Sequence, residues 1–344
     1  MVSTLHIKSK DAISVLRPIN NVAVFVHAAG EYGIQPREIL AGSGITMSDL
    51  DDPHRLITTA QEMMIGRKLV QRAPDGVNGL DIGPRIHLFS KGKLGMAALC
   101  SETALDALKM MIRYIDLTAT YFQYELTVEG EQGSVRMKAL VNLDDFGRYV
   151  FETEVVSLYT MCSMILDDIH VFKEMHIAFP APAYAMRYGE VFHCPVSFGA
   201  PRHWFTFDPS LLDKALKHSN TLTQKVLDQE CRQLCRRLNE HATVKDRIRH
   251  ELIFSEDHYP TLDQLAQRVN MPERTIRRKL TMEGTSYKDI LSEVRKQIAL
   301  ELIAAGDASM EKIAEKLGYS EVAGFYHAFK TWTGTTPARY RNRK

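Results

Sequence analysis

The sequence lacks a cysteine pattern that would hold a metal ion or a disulfide framework. It has an odd number of cysteines with no C-x-x-C and no zinc-finger spacing, namely Cys100, Cys162, Cys194, Cys231 and Cys235. Cys231 and Cys235 stand at i and i+4 on an apolar stripe, which favours two small buried side chains over a soft-metal or redox pair. We expect no metal, no cofactor and a reducing compartment.

Long apolar runs are missing as well. No stretch of about 18 apolar residues offers a membrane span, and no apolar segment follows the basic start as a signal peptide requires. The first ten residues, MVSTLHIKSK, are interpreted as a short flexible lead-in. The sequence therefore predicts a soluble cytoplasmic protein that does not enter the membrane.

Motifs of common enzyme classes are also absent. The chain contains no G-x-S-x-G, no G-x-x-x-x-G-K-[ST] and no H-E-x-x-H. The segment GLDIGP has two glycines but lacks the context of a phosphate loop, and His170, His176, His193 and His203 show no ligand spacing. We therefore expect that the protein is not an enzyme.

The chain as a whole has almost no excess of positive over negative charge, but the charges are unevenly distributed along it. The formal net charge of the 344 residues is +1. Residues 261–344 nevertheless hold 15 Lys and Arg against 10 Asp and Glu, so the positive excess lies at the carboxyl end. The length suffices for two domains with their own cores, and the basic part favours a nucleic-acid partner only modestly without further support.

That support comes from the segment KIAEKLGYSEVAGFYHAFKTWTG, residues 312–334. Two short apolar stripes at helical spacing meet at Gly318, with Ser309 and Ser320 as expected helix caps. This pattern predicts a helix-turn-helix. The side opposite the Phe/Trp stripe of the second helix carries Ala323, Tyr326, His327 and Lys330, and this side is left for a partner.

A second copy lies about fifty residues upstream, in TLDQLAQRVNMPERTIRRKLTMEGTS. Thr261 and Gln264 form a capping box at its first helix, and Ile276 and Leu280 match Phe325 and Phe329. The opposite face of its second helix presents Arg274, Thr275, Arg277, Arg278 and Thr281. Guanidinium groups match phosphate and guanine edges bidentately, so this face predicts contact with double-stranded DNA.

A helix free of Pro and Gly from Tyr287 to Ala305 joins the two copies. At about 1.5 Å per residue it is roughly 28 Å long. A rigid helix of this length would hold two recognition helices near the roughly 34 Å that separates successive major-groove faces of B-DNA. One chain would then read two adjacent grooves.

The segment from Thr261 to Arg343 resembles the DNA-binding domain of the AraC/XylS family of bacterial transcription regulators. IAEKLGYSEVAGFYHAFKTWTGTTPARYR is similar to the carboxyl-terminal signature of that family, and EVRKQIALELIA to its linker helix. The resemblance implies further DNA contacts from Glu321 and Ala323, activation more often than repression, and RNA polymerase as a partner. His327 and Pro272 depart from the residues usual in the family, which bears on the details of base contact.

The segment from about Leu16 to Asp213 is more weakly similar to the sensor domain of one AraC-family branch, often labelled arabinose-binding. Its own residues predict an α+β fold. Helices are expected from Ile13 to Ala29, over 36–41, 58–72 and 102–120, and a hairpin is expected in YFQYELTVEG and SVRMKALVNL. Further strands are expected in VFKEMHIAF, MRYGEVFH and at 203–207.

The expected domains are an α+β sensor and dimerisation domain over 1–238, a linker over 239–260, and an all-α double helix-turn-helix domain over 261–344. The core of the first spans about 16–213 and is followed by a helix over 222–238. The stripe Leu227, Cys231, Leu234 and Leu238 on this helix forms either a homodimer seam or a contact with its own domain. The second interpretation is the simpler one.

A sensor requires a pocket with a few polar anchors. Arginines near aromatic residues suggest a small carboxylate as effector, and the candidates are Arg202, Trp204, Arg113 and Tyr121. The sequence thus predicts a DNA-binding transcription regulator that responds to a small molecule. A constitutive DNA-binding protein whose first domain only dimerises remains the alternative.

Overall fold

The computed structural model of the protein describes residues 4–9, 14–52, 54–118, 120–141, 143, 146–255, 259–305 and 308–341. The chain divides into two compact units, and the boundary in the sequence lies between His241 and Ala242. Ile13, where the first helix was expected to begin, and Arg343 lie outside the described residues. Within the described segments, no helix is long and apolar enough to cross a membrane.

Unit 1 combines eight strands with nine helices among its described residues. The strands are β1 (Thr4–Lys8), β2 (Leu16–Pro18), β3 (Leu56–Thr58), β4 (Phe122–Glu129), β5 (Gln132–Ala139), β6 (Glu174–Ile177), β7 (Val196–Phe198) and β8 (His203–Phe207). The helices are α1 (Asn20–Glu31), α2 (Pro36–Leu40), α3 (Thr59–Arg72), α4 (Gly79–Ile82), α5 (Lys93–Leu99), α6 (Ala104–Arg113), α7 (Gly147–Leu166), α8 (Met186–Phe192) and α9 (Thr221–His241).

Six strands form one mixed sheet in the order β1-β4-β5-β8-β6-β7, and β2 pairs with β3 separately. The pairs in the six-stranded sheet are antiparallel except β6 with β7. The hairpin expected from the sequence is β4 and β5, joined by a two-residue turn in which Gly130 has φ 61°. The α+β class expected for this part of the chain is confirmed.

Residues 4–8 of the expected flexible lead-in form a strand. β1 pairs with β4 from Thr4 opposite Glu129 to Lys8 opposite Glu125. Leu5 and Ile7 are half-buried, whereas His6 and Lys8 are exposed. The lead-in prediction was wrong because this period-two alternation, which suits a sheet edge, extends over only a few residues.

Two other segments differ from the sequence-based expectation. MRYGEVFH forms α8 and not a strand, because Tyr188 and Phe192 at i and i+4 are both fully buried on one helical face. The helix expected from Ile13 begins only at Asn20, since Leu16–Pro18 pairs as β2 with β3. Proline fits the end of an edge strand, where its missing N–H costs no ladder bond.

Unit 2 contains seven helices in its described part. They are α10 (Val244–Ile253), α11 (Leu262–Arg268), α12 (Glu273–Met282), α13 (Tyr287–Ala305), α14 (Met310–Lys316), α15 (Val322–Thr333) and α16 (Pro337–Arg341). The segment 239–260, expected to be a linker, thus contains a helix. Val244, Ile248 and Leu252 of α10 are buried in the same core as α11, α12 and α13, and residues 256–258 lie outside the described part.

Candidate nucleic-acid interface and cavity

The first helix-turn-helix is built from α11 and α12. Leu265, Ile276 and Leu280 are buried against α10 and α13. The expected capping box is present, because the Thr261 amide donates to Gln264 Oε1 over 2.8 Å and the Gln264 amide donates to Thr261 Oγ1. Asn270 turns the chain between the helices with φ 49°, in the left-handed region that Asn tolerates.

The outer face of α12 presents the cations expected from the sequence. Arg274, Arg277, Arg278 and Thr281 are exposed and Thr275 is half-buried. Arg277 forms an ion pair with Glu273 one turn earlier, with 2.6 Å between Nη2 and Oε1, and the Thr281 hydroxyl donates to the Arg277 carbonyl. Arg277 is therefore already oriented by Glu273, whereas Arg274 and Arg278 form no ion pair with other described residues.

The second helix-turn-helix is built from α14 and α15 and has the same order of elements as the first, with different side chains. Ser309 caps α14 by accepting from the Lys312 amide, and Gly318 turns the chain with φ 69° at the place that Asn270 holds in the first copy. Ser320 was expected to cap α15, and this prediction was wrong. Glu321 holds that position without a side-chain hydrogen bond, and α15 begins at Val322.

The outer face of α15 is less cationic than that of α12. Ala323, His327 and Lys330 are exposed, as is Glu321 in front of the helix. Tyr326 is half-buried and packs against the second core, its ring edge-on to Phe325 at 6.0 Å. This face therefore offers one lysine, one imidazole and the rim of a tyrosine.

Helix α13 joins the two copies and spans the residues that the sequence indicated. Ile298 packs against both cores. The Arg295 guanidinium lies over the rings of Tyr259 and Tyr319, 5.1 and 4.7 Å from their centroids. The Trp332 indole N–H donates to Ser292 Oγ over 2.8 Å. These contacts connect each copy to α13 and restrain how one is placed relative to the other.

Unit 1 contains a cavity of about 230 Å³ between α7, the sheet and helices α1, α3 and α6. This volume is far above the roughly 10–15 Å³ that a single water molecule needs. Most of the lining is apolar, including Leu108, Ile112 and Ile115. A cavity of this size and polarity suits a small organic molecule.

One end of the cavity is polar. Arg17 and Glu62 form a buried ion pair over 3.2 Å, with side chains 1% and 2% exposed, and Asn21 also donates to Glu62. The Glu154 carboxylate accepts from the hydroxyls of Thr120 and Tyr124 and from the Tyr121 amide. Burial raises the pKa of the Glu154 carboxyl by more than these hydrogen bonds lower it, so the pKa lies above its usual value.

Lys91 and Tyr121 complete the polar end. The ammonium of Lys91 lines the cavity and forms no hydrogen bond or ion pair with the described residues. Burial lowers its pKa to about 8, although Glu62 and Glu154 act to raise it. The Tyr121 hydroxyl is buried in the cavity wall and also lacks a hydrogen-bond partner in the described structure. Both groups are unused donors.

The structure does not bring the four expected effector residues together. Tyr121 lines the cavity, whereas Arg113 pairs with Asp228 of α9 over 3.3 Å. Arg202 is exposed, and Trp204 stacks on His176 with 3.9 Å between ring centroids. Sequence reasoning missed Lys91, because it lies in a Ser-Lys-Gly-Lys run that is typical of a surface loop and resembles its exposed neighbour Lys93.

The α9 stripe packs within its own unit. Cys231 and Leu238 are buried, Leu227 and Leu234 are half-buried, and α9 contacts α5. This arrangement corresponds to the second interpretation of the stripe. No group of three or more His, Cys, Asp or Glu in the described segments is placed to hold a metal ion.

Two helix-turn-helix motifs on one connecting helix, in a chain that also contains a separate α+β unit with a cavity, define a DNA-binding transcription regulator. Residues 33–216 match the family model described as the arabinose-binding domain of AraC transcription regulator, and residues 265–343 match a helix-turn-helix domain. The chain belongs to the AraC family of transcription regulators.

Several transcription regulators are similar to this chain over most of its length. The ornithine utilization regulator of Pseudomonas aeruginosa is 25% identical, with 95% of this chain and 96% of that protein covered. The transcriptional regulator VqsM of the same species is 30% identical over 80% of this chain and 86% of its own. The crystal structure of CdpR, also from P. aeruginosa, covers 94% of this chain and 98% of its own at 21% identity and a TM-score of 0.49.

Proposed function

We propose that this protein is a transcription activator that responds to a small molecule bound by unit 1. The observation that carries the proposal is the mostly apolar cavity with unused donors at one end, within the unit that matches a family of sensor domains. Ligand pockets have this character. Activation would act through RNA polymerase, and the protein would bind DNA alone or as a homodimer.

For DNA recognition we propose that α12 and α15 each enter a major groove. Arg274, Arg277 and Arg278 of α12 contact guanine edges and phosphates, with Thr275 and Thr281 beside them. In the second copy this role falls to Glu321, Ala323, Tyr326, His327 and Lys330. The exposure of these side chains, apart from the half-buried Thr275 and Tyr326, supports the proposal, as does the fit of guanidinium groups to guanine.

Arg277 is the residue on which to test the DNA part, because its ion pair with Glu273 holds it in one orientation on α12. The full-length protein is used to select bound fragments from random DNA at about 0.15 M salt, since phosphate contacts make affinity depend on salt. We expect a motif of two half-sites about one helical turn apart. Arg277→Ala should weaken binding by roughly 1–3 kcal/mol and relax the preference at one position.

The exposed Lys288 of α13 provides the matched control, since Lys288→Ala removes a cation from unit 2 without changing α12. It should preserve the selected motif. If Arg277→Ala selects the same motif with the same affinity, the assigned face of α12 is wrong. If the wild-type protein selects a motif equally well with and without every small molecule tried, the constitutive alternative is supported instead.

A further inference from the structure

The cavity lining excludes a sugar as a good fit. Each hydroxyl of a sugar needs a hydrogen-bond partner when it leaves water, and burying one without a partner costs about 1–3 kcal/mol. Here most of the lining is aliphatic and aromatic, with Phe25, Leu108, Ile112, Met161 and Phe205 among these residues. The body of a ligand that fills this space is therefore apolar.

The polar end requires an acceptor on the ligand. Lys91 and Tyr121 both line the cavity. The Lys91 ammonium forms no hydrogen bond or ion pair with the described residues, although Glu62 and Glu154 act on its charge, and the Tyr121 hydroxyl is buried without a hydrogen-bond partner. The Tyr121 ring lies under the Arg17 guanidinium at 5.0 Å, which helps to hold it in place. An oxygen that accepts hydrogen bonds from these two donors would satisfy groups that are costly to leave unpaired in an apolar site.

The charges at this end are already balanced. Glu62 is neutralised by Arg17 in their ion pair. The Glu154 carboxyl accepts hydrogen bonds from three donors, an arrangement that suits its ionised form although burial raises its pKa, and the positive charge of Lys91 acts against that rise. A ligand carboxylate would add a second anion for the single Lys91 cation, and a ligand ammonium would add a cation. Unbalanced charge is expensive at a buried site.

We infer that the cavity binds a small, mainly apolar molecule whose one polar group is a neutral oxygen acceptor, such as an ester or ketone, held by Lys91 and Tyr121. The inference rests on the proposed effector function and names the class of ligand for it. It replaces the small carboxylate suggested by the sequence. It also separates the ligand of this chain from the sugar in the name of the family model.

The test measures the affinity of the full-length protein for five probes by calorimetry at neutral pH. The probes are methyl octanoate, octanoate, octylamine, octane and L-arabinose. Methyl octanoate should bind tightest, with octane weaker by roughly tenfold because it lacks the acceptor. Octanoate, octylamine and L-arabinose should bind more weakly than the ester. Tighter binding of octanoate or of L-arabinose, or no binding of any probe, overturns the inference.

Two variants test the assigned donors. Lys91→Met and Tyr121→Phe should each bring the affinity for methyl octanoate close to that for octane, a loss of roughly tenfold. Lys109→Met is the control, because Lys109 is exposed on α6 outside the cavity lining. Lys91→Met leaves Glu154 without its nearby cation, so Tyr121→Phe, which changes no charge, decides the matter if the first variant does not fold. Full ester preference in Tyr121→Phe overturns the inference.

Failure of the proposed function gives a different result. Affinity for the selected DNA is measured with saturating methyl octanoate and without it. If the ester binds with the expected preference but leaves DNA affinity and transcription in a purified system unchanged, the ligand class stands and the effector function fails. If another probe class changes DNA affinity through the cavity, the function stands and the ligand class is wrong.

Discussion

Some charged side chains of unit 1 are buried in its interior, where an unpaired charge is energetically unfavourable. Arg17 and Glu62 are almost fully buried and are paired with each other, and Asn21 provides Glu62 with another bond. Such a pair adds little net stability, because desolvation offsets the attraction, but either partner alone is strongly unfavourable. The pair therefore fixes the polar end of the cavity more than it stabilises the fold.

Replacing one partner should show this asymmetry. Arg17→Leu should lower the free energy of unfolding by about 3–5 kcal/mol, because it leaves the Glu62 carboxylate buried without a cation. The double variant Arg17→Leu/Glu62→Leu should lose clearly less free energy of unfolding than Arg17→Leu alone. Urea unfolding of unit 1 measures both. Equal losses in the single and double variants would contradict a buried pair.

His203 gives unit 1 a dependence on pH. Its ring stacks on Phe151 at 4.0 Å between centroids, its Nδ1 accepts from the Ala178 amide, and burial lowers its pKa from 6.5 to about 4. Between about pH 6.5 and pH 4, His203 is therefore protonated in the unfolded chain but largely neutral in the folded chain. Stability from this residue is complete above about pH 6.5 and is lost as the pH falls toward 4.

We expect that lowering the pH from 7 to 5 destabilises the wild type by about 1–2 kcal/mol more than it destabilises His203→Gln. Urea unfolding at the two pH values measures the difference. His170 is exposed, so His170→Gln should retain the wild-type pH dependence. A difference of the opposite sign for His203→Gln would mean that the folded state binds the proton more tightly than the unfolded chain.

At the scale of elements, local signals decided which predictions succeeded. Helix α13 was predicted from Tyr287 to Ala305 because an unbroken apolar period without Pro or Gly specifies both its type and its length. Segment 186–193 was ambiguous, since Tyr188 and Phe192 face one side of a helix but also fit a short strand. The cavity could not be predicted, because its lining comes from elements that are distant in sequence and meet only in the folded unit.

The caps of the second helix-turn-helix provide a matched pair of mutations. Ser309→Ala removes the hydroxyl that accepts from the Lys312 amide and should cost about 1 kcal/mol. Ser320→Ala should change stability by less than about 0.5 kcal/mol, because Glu321 and not Ser320 is the N-cap of α15. Urea unfolding of both variants tests the corrected cap. Equal losses would restore Ser320 as a cap.

At the scale of the whole molecule, the unit boundary determines which fragment folds. Helix α10 supplies three buried aliphatic side chains to the first helix-turn-helix core, and the Glu283 carboxylate accepts from the Val244 and Lys245 amides at its start. Each of these side chains contributes about 1.5–3 kcal/mol when buried. Their sum is comparable to the roughly 5–15 kcal/mol that stabilises an ordinary domain.

We therefore expect that a fragment of residues 242–344 unfolds cooperatively, whereas a fragment of residues 261–344, which starts where the sequence placed the domain, is largely unfolded. Circular dichroism with urea titration compares the two fragments at equal concentration. A fragment 261–344 that is as stable as 242–344 would show that α10 is dispensable. It would also return the segment 239–260 to the role of a linker.

The two outer faces have a consequence for the orientation of the binding site. Helix α12 presents three arginines, and α15 presents a lysine and an imidazole beside a tyrosine. If each face reads one groove as proposed, the two halves of the site differ in sequence, so the site has a polarity. Turning such a site around on a promoter would reverse the order in which α12 and α15 are met along the gene.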